Sequence, residues 1–284
     1  MYNKWNDVKG KIHSQSPLIH CITSPIAIND CANAVLALGA KPIMAEHPLE
    51  VENITLMSKS LAVSLANITD ARAESIMISG KAACKAGIPS VIDLVGVTCS
   101  KMRADFAKKY ITQCRPAVIK GNVSEIKAVC GMGFDASSGI DVSDKDKVDS
   151  ANPKSIEEMS YIVKNYAAAN GCVVMASGET DIISDGKEVY HISNGSSRMA
   201  DVTGTGCILN CITAVFMSVT DALTACVLAA AVLGISGELA DDSRGLGTYH
   251  IGLIDSLSLM DSEKFSHGVI FIKPDIIHPP AAPA

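Results

Sequence analysis

Short apolar runs typical of buried β-strands alternate along this chain with longer runs of helical periodicity. The strand-like runs lie at 42–44, 61–66, 90–95, 117–119 and 172–176. Between them apolar residues recur at helical spacing, as from Ile28 to Leu36, and Gly39 is placed to end that helix. This alternation predicts an α/β fold with a mainly parallel sheet and helices on both faces.

The second half of the chain adds helix and hairpin signals. Ser155 and Glu158 have the spacing of a capping box, which predicts a helix beginning at Ser155. Asp185-Gly186 separates the runs 181–184 and 188–192, and this pair suits the type I′ turn of a hairpin. Further helices are predicted at about 207–219, 221–238 and 248–260, and a last strand at 269–272.

The domain prediction follows from the absence of a convincing linker. The polar stretch 135–154 is interpreted as a surface loop, and 274–284, which ends HPPAAPA, as a flexible tail. The remaining 1–273 is predicted to form one domain.

Charge and composition exclude several classes of protein. The net charge is −6 and no basic stripe is present, which argues against a nucleic-acid partner. The ten cysteines contain no CxxC pair and lie mostly in apolar segments, so disulfides and zinc are not expected. The apolar stretch 205–236 is interrupted by polar residues and is interpreted as two buried helices, not a membrane span. A polar N-terminus without a signal-peptide core indicates a cytoplasmic protein.

Polar side chains stand where the predicted strands end: Asn67, Asp93, Asn122 and Ser177. In parallel sheets ligands bind beyond the carboxyl ends of the strands. We therefore expect these four residues to converge on one crevice.

A glycine-rich turn, TGTGC at 203–207, opens directly into an apolar helical run. Gly204 and Gly206 allow close approach of a ligand, and the helix start favours an anion and a Cys207 thiolate. A tight packing turn explains the same residues equally well. The turn does not complete a dinucleotide fingerprint, because Leu209 stands in place of the third glycine, and no P-loop is present.

Three charged residues have competing interpretations. Asp93 lies in an apolar strand, where a carboxylate needs a partner, a metal or a helix to cap. Glu125 follows Asn122 at capping-box spacing, and it also suits Mg²⁺, which takes few protein carboxylates. Lys120 can offer a point charge to a phosphate or be an ordinary solvated lysine. Of the apolar candidates, Met44 is more often a core residue than a ligand contact.

The chain resembles the hydroxyethylthiazole kinase family of the ribokinase-like superfamily over about residues 15–260. The segments that carry the resemblance occur in the expected order and include PLIHCIT at 17–23, PIMAE at 42–46, KGNVSEI at 120–126, SGETD at 177–181, VTGTGC at 202–207, GISGELA at 234–240 and GLGTY at 245–249. Each segment alone is weakly specific, whereas the ordered set is highly specific.

The resemblance implies a three-layer ribokinase-like fold and ATP-dependent phosphorylation of 4-methyl-5-(2-hydroxyethyl)thiazole, a thiamine-salvage reaction. It also implies a homotrimer with thiazole sites between subunits. By motif match, the implied roles are thiazole contact for Met44 and Gly204, ATP contact for Lys120, Ser177, Asn122 and Gly206, Mg²⁺ binding for Asp93 and Glu125, and a weak catalytic base in Cys207. Related sugar kinases have an aspartate at this last position.

Several positions depart from the family pattern. Lys120 replaces Arg, Ser177 replaces Thr and Ser24 replaces Asn. The remaining departures are Asp93-Leu94 for Asp-Pro, Thr98-Cys99 for Gly-Ala, and an Asn67-Ile68-Thr69 segment without the usual glycine. The alternatives are another ribokinase-like small-alcohol kinase, a nucleotide-dependent repair dehydratase, a non-catalytic thiazole or nucleotide binder, and a cysteine hydrolase that uses Cys207.

Overall fold

The computed structural model describes residues 2–131, 153–240 and 243–274. The first part of the chain forms α1 (Tyr2–Gln15), β1 (Leu18–Ile22), α2 (Ile28–Ala37), β2 (Lys41–Ile43), α3 (Val51–Met57), β3 (Ser60–Ser64), α4 (Asp70–Ala86), β4 (Ser90–Asp93), α5 (Lys101–Cys114), β5 (Val118–Asn122) and α6 (Val123–Val129). The second part forms α7 (Pro153–Asn170), β6 (Val173–Ser177), β7 (Asp181–Ser184), β8 (Val189–Ile192), a 3-10 turn (Ser197–Asp201), α8 (Thr205–Met217), α9 (Ala222–Leu239), α10 (Leu246–Ser258), α11 (Ser262–Gly268) and β9 (Phe271–Ile272).

All nine of these strands form one sheet in the order β2-β1-β3-β4-β5-β6-β7-β8-β9. The strands from β2 to β6 in this order are parallel, and the hairpin β7–β8 and then β9 continue the sheet in antiparallel pairing. The predicted mainly parallel sheet is therefore confirmed.

The sheet separates two apolar cores, each covered by its own layer of helices. On one face pack α1, α2, α8, α9, α10 and α11, with Trp5 and Phe216 in edge-to-face contact. On the other face pack α3 to α7, around residues such as Ile76 and Tyr110. This is the expected three-layer arrangement.

Helix α9 is long and apolar enough to cross a membrane by length and composition alone. It is 78% buried and packs against α8, α10 and the sheet. Burial inside the protein accounts for its composition, as the sequence predicted for the stretch 205–236.

Two local predictions are wrong. The helix predicted to begin at Ser155 already includes Pro153, so Ser155 lies inside α7 and cannot be its N-cap. The connection between β7 and β8 spans 185–188, since Ser184 pairs with Val189, and this is longer than a type I′ hairpin loop. The Asp185 carboxylate orders it by accepting from the backbone N–H groups of Lys187 and Glu188.

Boundaries also differ from those predicted. Strand β3 ends at Ser64, two residues early, and the last strand is only two residues long. Most of the predicted loop 135–154 and the tail from residue 275 lie outside the described residues. One domain over 1–273 stays a prediction.

Candidate active site

The turn before α8 requires a glycine at 204, while Gly206 lies in the first turn of α8 close to a lysine. Gly204 has φ +91°, and a Cβ there would lie 2.9 Å from the Cβ of Ala27. A Cβ on Gly206 would lie 3.4 Å from the Nζ of Lys120. The turn therefore has the Ala27 segment as its neighbour at Gly204, and a buried lysine as its neighbour at Gly206.

The carboxyl ends of the parallel strands bring the predicted polar residues together. The register pairs Ser64 with Asp93 and Asp93 with Lys120 across β3, β4 and β5. Asn122 pairs with Ser177 across β5 and β6. The convergence expected for Asp93, Asn122 and Ser177 is thus observed, while Asn67 lies beyond β3 and accepts a hydrogen bond from the Ser24 hydroxyl at 2.8 Å.

A buried ion pair lies at the centre of this edge. The Nζ of Lys120 lies 2.9 Å from Oδ1 of Asp93, and their side chains are 4% and 3% exposed. Burial disfavours the charge of Lys120, but the charge and hydrogen bond of Asp93 outweigh it and raise the pKa of Lys120. Lys120 is therefore not a solvated lysine, and Asp93 does not cap a helix.

Cys207 lies beside the second oxygen of the Asp93 carboxylate. Its thiol donates to Oδ2 of Asp93 at 3.9 Å. Burial, and then the charge of Asp93, raise the pKa of the Cys207 thiol to about 12. The expectation that the helix start would favour a thiolate is wrong for this structure, because burial and a neighbouring carboxylate outweigh the helix dipole.

Glu125 both caps α6 and lies near Asp93. Its Oε2 accepts from the backbone N–H of Asn122 and its Oε1 from that of Gly96, each at 2.8 Å, and Asn122 Oδ1 accepts from the Glu125 N–H at 2.9 Å. Burial, and then the charge of Asp93, raise the pKa of Glu125 to about 7. The capping-box interpretation is confirmed, and the two carboxylates interact.

A pocket of about 930 Å³ opens beside the turn. Its walls include Ser177 and Gly206 at the sheet edge, and Leu209, Ala230 and Leu233 from α8 and α9. An apolar wall with a few polar groups at one end is typical of small-molecule sites of this size.

Of the two predicted thiazole contacts, Gly204 lies in the turn beside Ala27, and Met44 lies at the other end of the sheet. Met44 directly follows β2, is partly buried, and packs against the core on the α8 face. The nearby His20 is buried between the Thr55 hydroxyl and the Ala45 carbonyl, at 2.9 and 2.8 Å, which matches a core histidine with both ring nitrogens bonded.

Residues 10–263 match the Hydroxyethylthiazole kinase family. This chain belongs to that family. It is 50% identical over 250 residues to Hydroxyethylthiazole kinase 2 of Clostridium botulinum (strain Hall), covering 88% of this chain and 93% of that protein. It is 38% identical over 261 residues to Hydroxyethylthiazole kinase 1 of Methanosphaera stadtmanae, covering 88% of this chain and 90% of that protein.

Solved structures agree with this membership of the hydroxyethylthiazole kinase family. The hydroxyethylthiazole kinase protein from Pyrococcus horikoshii OT3 has a TM-score of 0.84 at 26% identity and covers 96% of this chain and 100% of that chain. A pyridoxal kinase from Staphylococcus aureus has a TM-score of 0.58 at 14% identity, covering 80% and 89%, which shows a shared fold alone. A ribokinase-like superfamily protein from Enterococcus faecalis has a TM-score of 0.57 at 12% identity, covering 87% of this chain and 88% of that chain, and this shared fold confirms the ribokinase-like prediction.

Sequence reasoning missed two buried charged residues of this hydroxyethylthiazole kinase family member. Asp181 accepts from the Gly178 N–H at 3.0 Å, and burial raises its pKa to about 7. Arg72 is 4% exposed and donates to the Thr23 carbonyl. Both lie in segments whose sequence fits an exposed turn or helix face, and only the packing of distant elements buries them.

Proposed function

We propose that this chain transfers the γ-phosphoryl group of ATP to the hydroxyl of 4-methyl-5-(2-hydroxyethyl)thiazole, the kinase reaction of thiamine salvage. The observation that carries the proposal is the buried Lys120–Asp93 pair at the foot of the Gly204–Gly206 turn, beside a pocket of nucleotide size. Membership of the hydroxyethylthiazole kinase family supports the choice of alcohol and of ATP as co-substrate.

ATP would occupy the pocket beside α8. The apolar wall of Leu209, Ala230 and Leu233 suits the base, and the sheet edge suits the phosphates. ATP would contact Lys120, Ser177, Asn122 and Gly206. Among these, Lys120 would present a point charge to the phosphates. Its position next to Gly206 supports this role, because the backbone and the lysine present positive groups to one place.

The thiazole alcohol would approach from the β2 side, contacting Met44 and Gly204. Phosphoryl transfer needs the hydroxyl oxygen in line with phosphorus, about 3–3.5 Å away. The backbone N–H groups of the turn would stabilise charge on the transferring group. Cys207 would orient the hydroxyl, and its minority thiolate form would take the hydroxyl proton late, since a loose transition state makes little early demand on a base.

Asp93 and Glu125 would hold Mg²⁺. The donor set fits: two carboxylates lie at the same edge of the sheet, Asp93 at the end of β4 and Glu125 bonded to the backbone N–H groups of Gly96 and Asn122. Among the described residues no group of three or more His, Cys, Asp or Glu side chains could hold a metal ion. This suits Mg²⁺, which keeps several waters and takes phosphate oxygens. When bound, the ion would neutralise charge on the phosphates.

The assembly we propose is a homotrimer with thiazole sites between subunits, formed by a single domain over 1–273 in the cytoplasm. Exposed apolar side chains support a subunit contact: Ile26 is 65%, Leu36 56% and Ile251 65% exposed. The cysteines support a reducing compartment, since all ten are free. The acidic net charge supports small-molecule partners without nucleic acid or membrane.

The test is ADP release by the purified chain with ATP, Mg²⁺ and a panel of alcohols. Thiazole-stimulated ADP formation at ordinary turnover, with the phosphate ester as product, supports the proposal. Preference for another alcohol would favour a different small-alcohol kinase. Binding without turnover would favour a non-catalytic binder, and substrate cleavage without ATP a cysteine hydrolase. Light scattering tests the trimer.

A further inference from the structure

Arg72, near the start of α4, is a buried cation with an incomplete set of partners. Its side chain is 5% exposed, and its Nη2 donates to the Thr23 carbonyl. Nη1 lies 3.8 Å from Oε2 of Glu46, beyond hydrogen-bond distance. Among the described residues, Nε and Nη1 have no hydrogen-bond acceptor. Because a buried guanidinium is costly unless its donors are bonded, these two donors need an acceptor.

The sheet order places Arg72 on the side of the site away from the nucleotide pocket. Its partner Thr23 directly follows β1, whereas Lys120 lies on β5, three strand spacings or about 14 Å away. The pocket proposed for ATP lies beyond β5, at β6 and β7. Arg72 therefore lies on the side from which the alcohol approaches.

Short contacts connect Arg72 to the glycine-rich turn. The Thr23 hydroxyl lies 3.7 Å from the Cys31 thiol, and Ala27, in the same segment, packs against Gly204. Burial lowers the pKa of Arg72, and the charge of Glu46 opposes that shift. The segment 23–27 therefore joins the Arg72 guanidinium, which donates to the Thr23 carbonyl, to the turn at Gly204.

Departures from the family pattern surround the same arginine. Ser24, next to Thr23, donates to Asn67 Oδ1 at 2.8 Å, and Thr69 Oγ1 accepts from the Arg72 N–H at 3.3 Å. Both partners belong to the Asn67–Thr69 segment that lacks the usual glycine. These contacts fix the two segments next to Arg72: Ser24 adjoins its acceptor Thr23, and Thr69 is the N-cap of α4.

We propose that Arg72 binds the phosphate group of the phosphorylated alcohol through its Nε and Nη1 donors. The proposal rests on the proposed function and adds a second cation on the acceptor side. A neutral alcohol offers these donors no charge, whereas its phosphate ester carries a dianion. Arg72 is thus a specificity-determining residue that favours the ester over the alcohol, and Glu46 is the internal anion that competes for it.

The experiment is calorimetric binding of three probes to the full chain: hydroxyethylthiazole, its phosphate ester and inorganic phosphate. Arg72→Gln is expected to weaken ester binding about tenfold or more, the range for a hydrogen bond to a charged group, and to change alcohol binding less than about threefold. Arg72→Lys is expected to restore part of the ester affinity. Glu46→Gln is expected to strengthen ester binding, and Arg115→Gln, at an exposed arginine, to change neither.

If Arg72 only holds Thr23 in position, a different result is expected: Arg72→Gln would weaken alcohol binding and ester binding equally. Equal losses, or no loss, overturn the proposal, as does an unchanged ester affinity in Glu46→Gln. The Glu46→Gln variant keeps Arg72 and its contact with Thr23, so it tests the proposal even if Arg72→Gln fails to fold. If the unaltered chain does not phosphorylate the thiazole alcohol but Arg72→Gln still weakens ester binding selectively, the proposed function alone is refuted. If the unaltered chain phosphorylates the alcohol but Arg72→Gln causes no selective loss of ester binding, this inference alone is refuted.

Discussion

Asp93 and Lys120 are direct neighbours in register across β4 and β5, and their charged atoms lie 2.9 Å apart in the protein interior. The sheet thus presents a carboxylate and an ammonium group together, next to Gly206 of the glycine-rich turn. Removing either charge leaves the other buried and unpaired, so the two residues determine stability jointly.

Lys120→Met is expected to lower the free energy of unfolding by about 3–5 kcal/mol, because it leaves the buried Asp93 carboxylate without a partner. Lys120→Arg keeps the charge and is expected to retain most activity. The measurements are denaturant unfolding and the KM for ATP. The double variant Asp93→Asn with Lys120→Met is expected to lose less stability than the two single losses added together. Strict additivity would contradict the coupling.

Cys207→Ala is expected to lower kcat by less than about tenfold. With a pKa of about 12, the thiol is protonated near neutral pH and supplies little of the 10²–10⁴-fold that a good general base contributes. Cys207→Asp is expected to raise kcat, since a carboxylate accepts a proton more readily. Steady-state kinetics with thiazole check both. A loss of kcat above about a hundredfold in Cys207→Ala would show that the thiol acts as the main general base.

Glu125→Gln separates helix capping from metal binding. Glutamine also serves in a capping box, so α6 is expected to persist with a Tm within a few degrees. Removal of the charge is expected to raise the Mg²⁺ concentration for half-maximal activity about tenfold. Asn122→Ala is the comparison for the cap, measured by Tm, because it removes the side chain that accepts from the Glu125 N–H at a cost of about 1 kcal/mol and leaves the Glu125 carboxyl group in place. Unchanged Mg²⁺ dependence in Glu125→Gln would argue against the metal role.

Asp181→Asn is expected to stabilise the ligand-free protein increasingly as pH rises. Burial raises the pKa of Asp181 from 3.8 to about 7, so the folded state binds an extra proton between these values. Its contribution to stability is full below pH 3.8 and is lost as pH rises through about 7. The gain of Asp181→Asn over the unaltered chain is expected to grow by about 3 kcal/mol from pH 5 to pH 8.

Urea unfolding at both pH values measures this difference. Glu179→Gln, at an exposed neighbouring carboxylate, is the control and is expected to show no such trend. A pH-independent effect of Asp181→Asn would mean that the carboxyl group is not held protonated in the folded state.

Much of the site was predictable because parallel strands repeat one geometry. Once 90–95 and 117–119 are assigned as strands, Asp93 and Lys120 must emerge at the same edge. Whether the two residues pair directly depends on the register between the two strands, which the sequence of neither strand specifies. The choice between ion pair, cap and metal ligand at Asp93 therefore stayed open until β4 and β5 were aligned.

Residues whose environment comes from distant elements could not be predicted. Arg72 is buried by the segment after β1, and Asp181 by the Gly178 turn together with α9. The Ser155 prediction is wrong for a related reason: the helix starts earlier, with Pro153 in its first turn, a position that proline favours. Local signals place elements well and their exact starts poorly.

Helix α8 carries the glycine-rich turn at its tip and is fixed along its length. Residues Cys207 to Met217 are all buried, the Asn210 side chain donates to the Val63 carbonyl at 3.1 Å, and the Ser60 hydroxyl donates to the Ala214 carbonyl at 2.6 Å. An element held this way opens only with the whole protein. The turn is therefore held rigidly, and any motion that closes the proposed site would belong to the segments facing it, around 23–27 and 193–200.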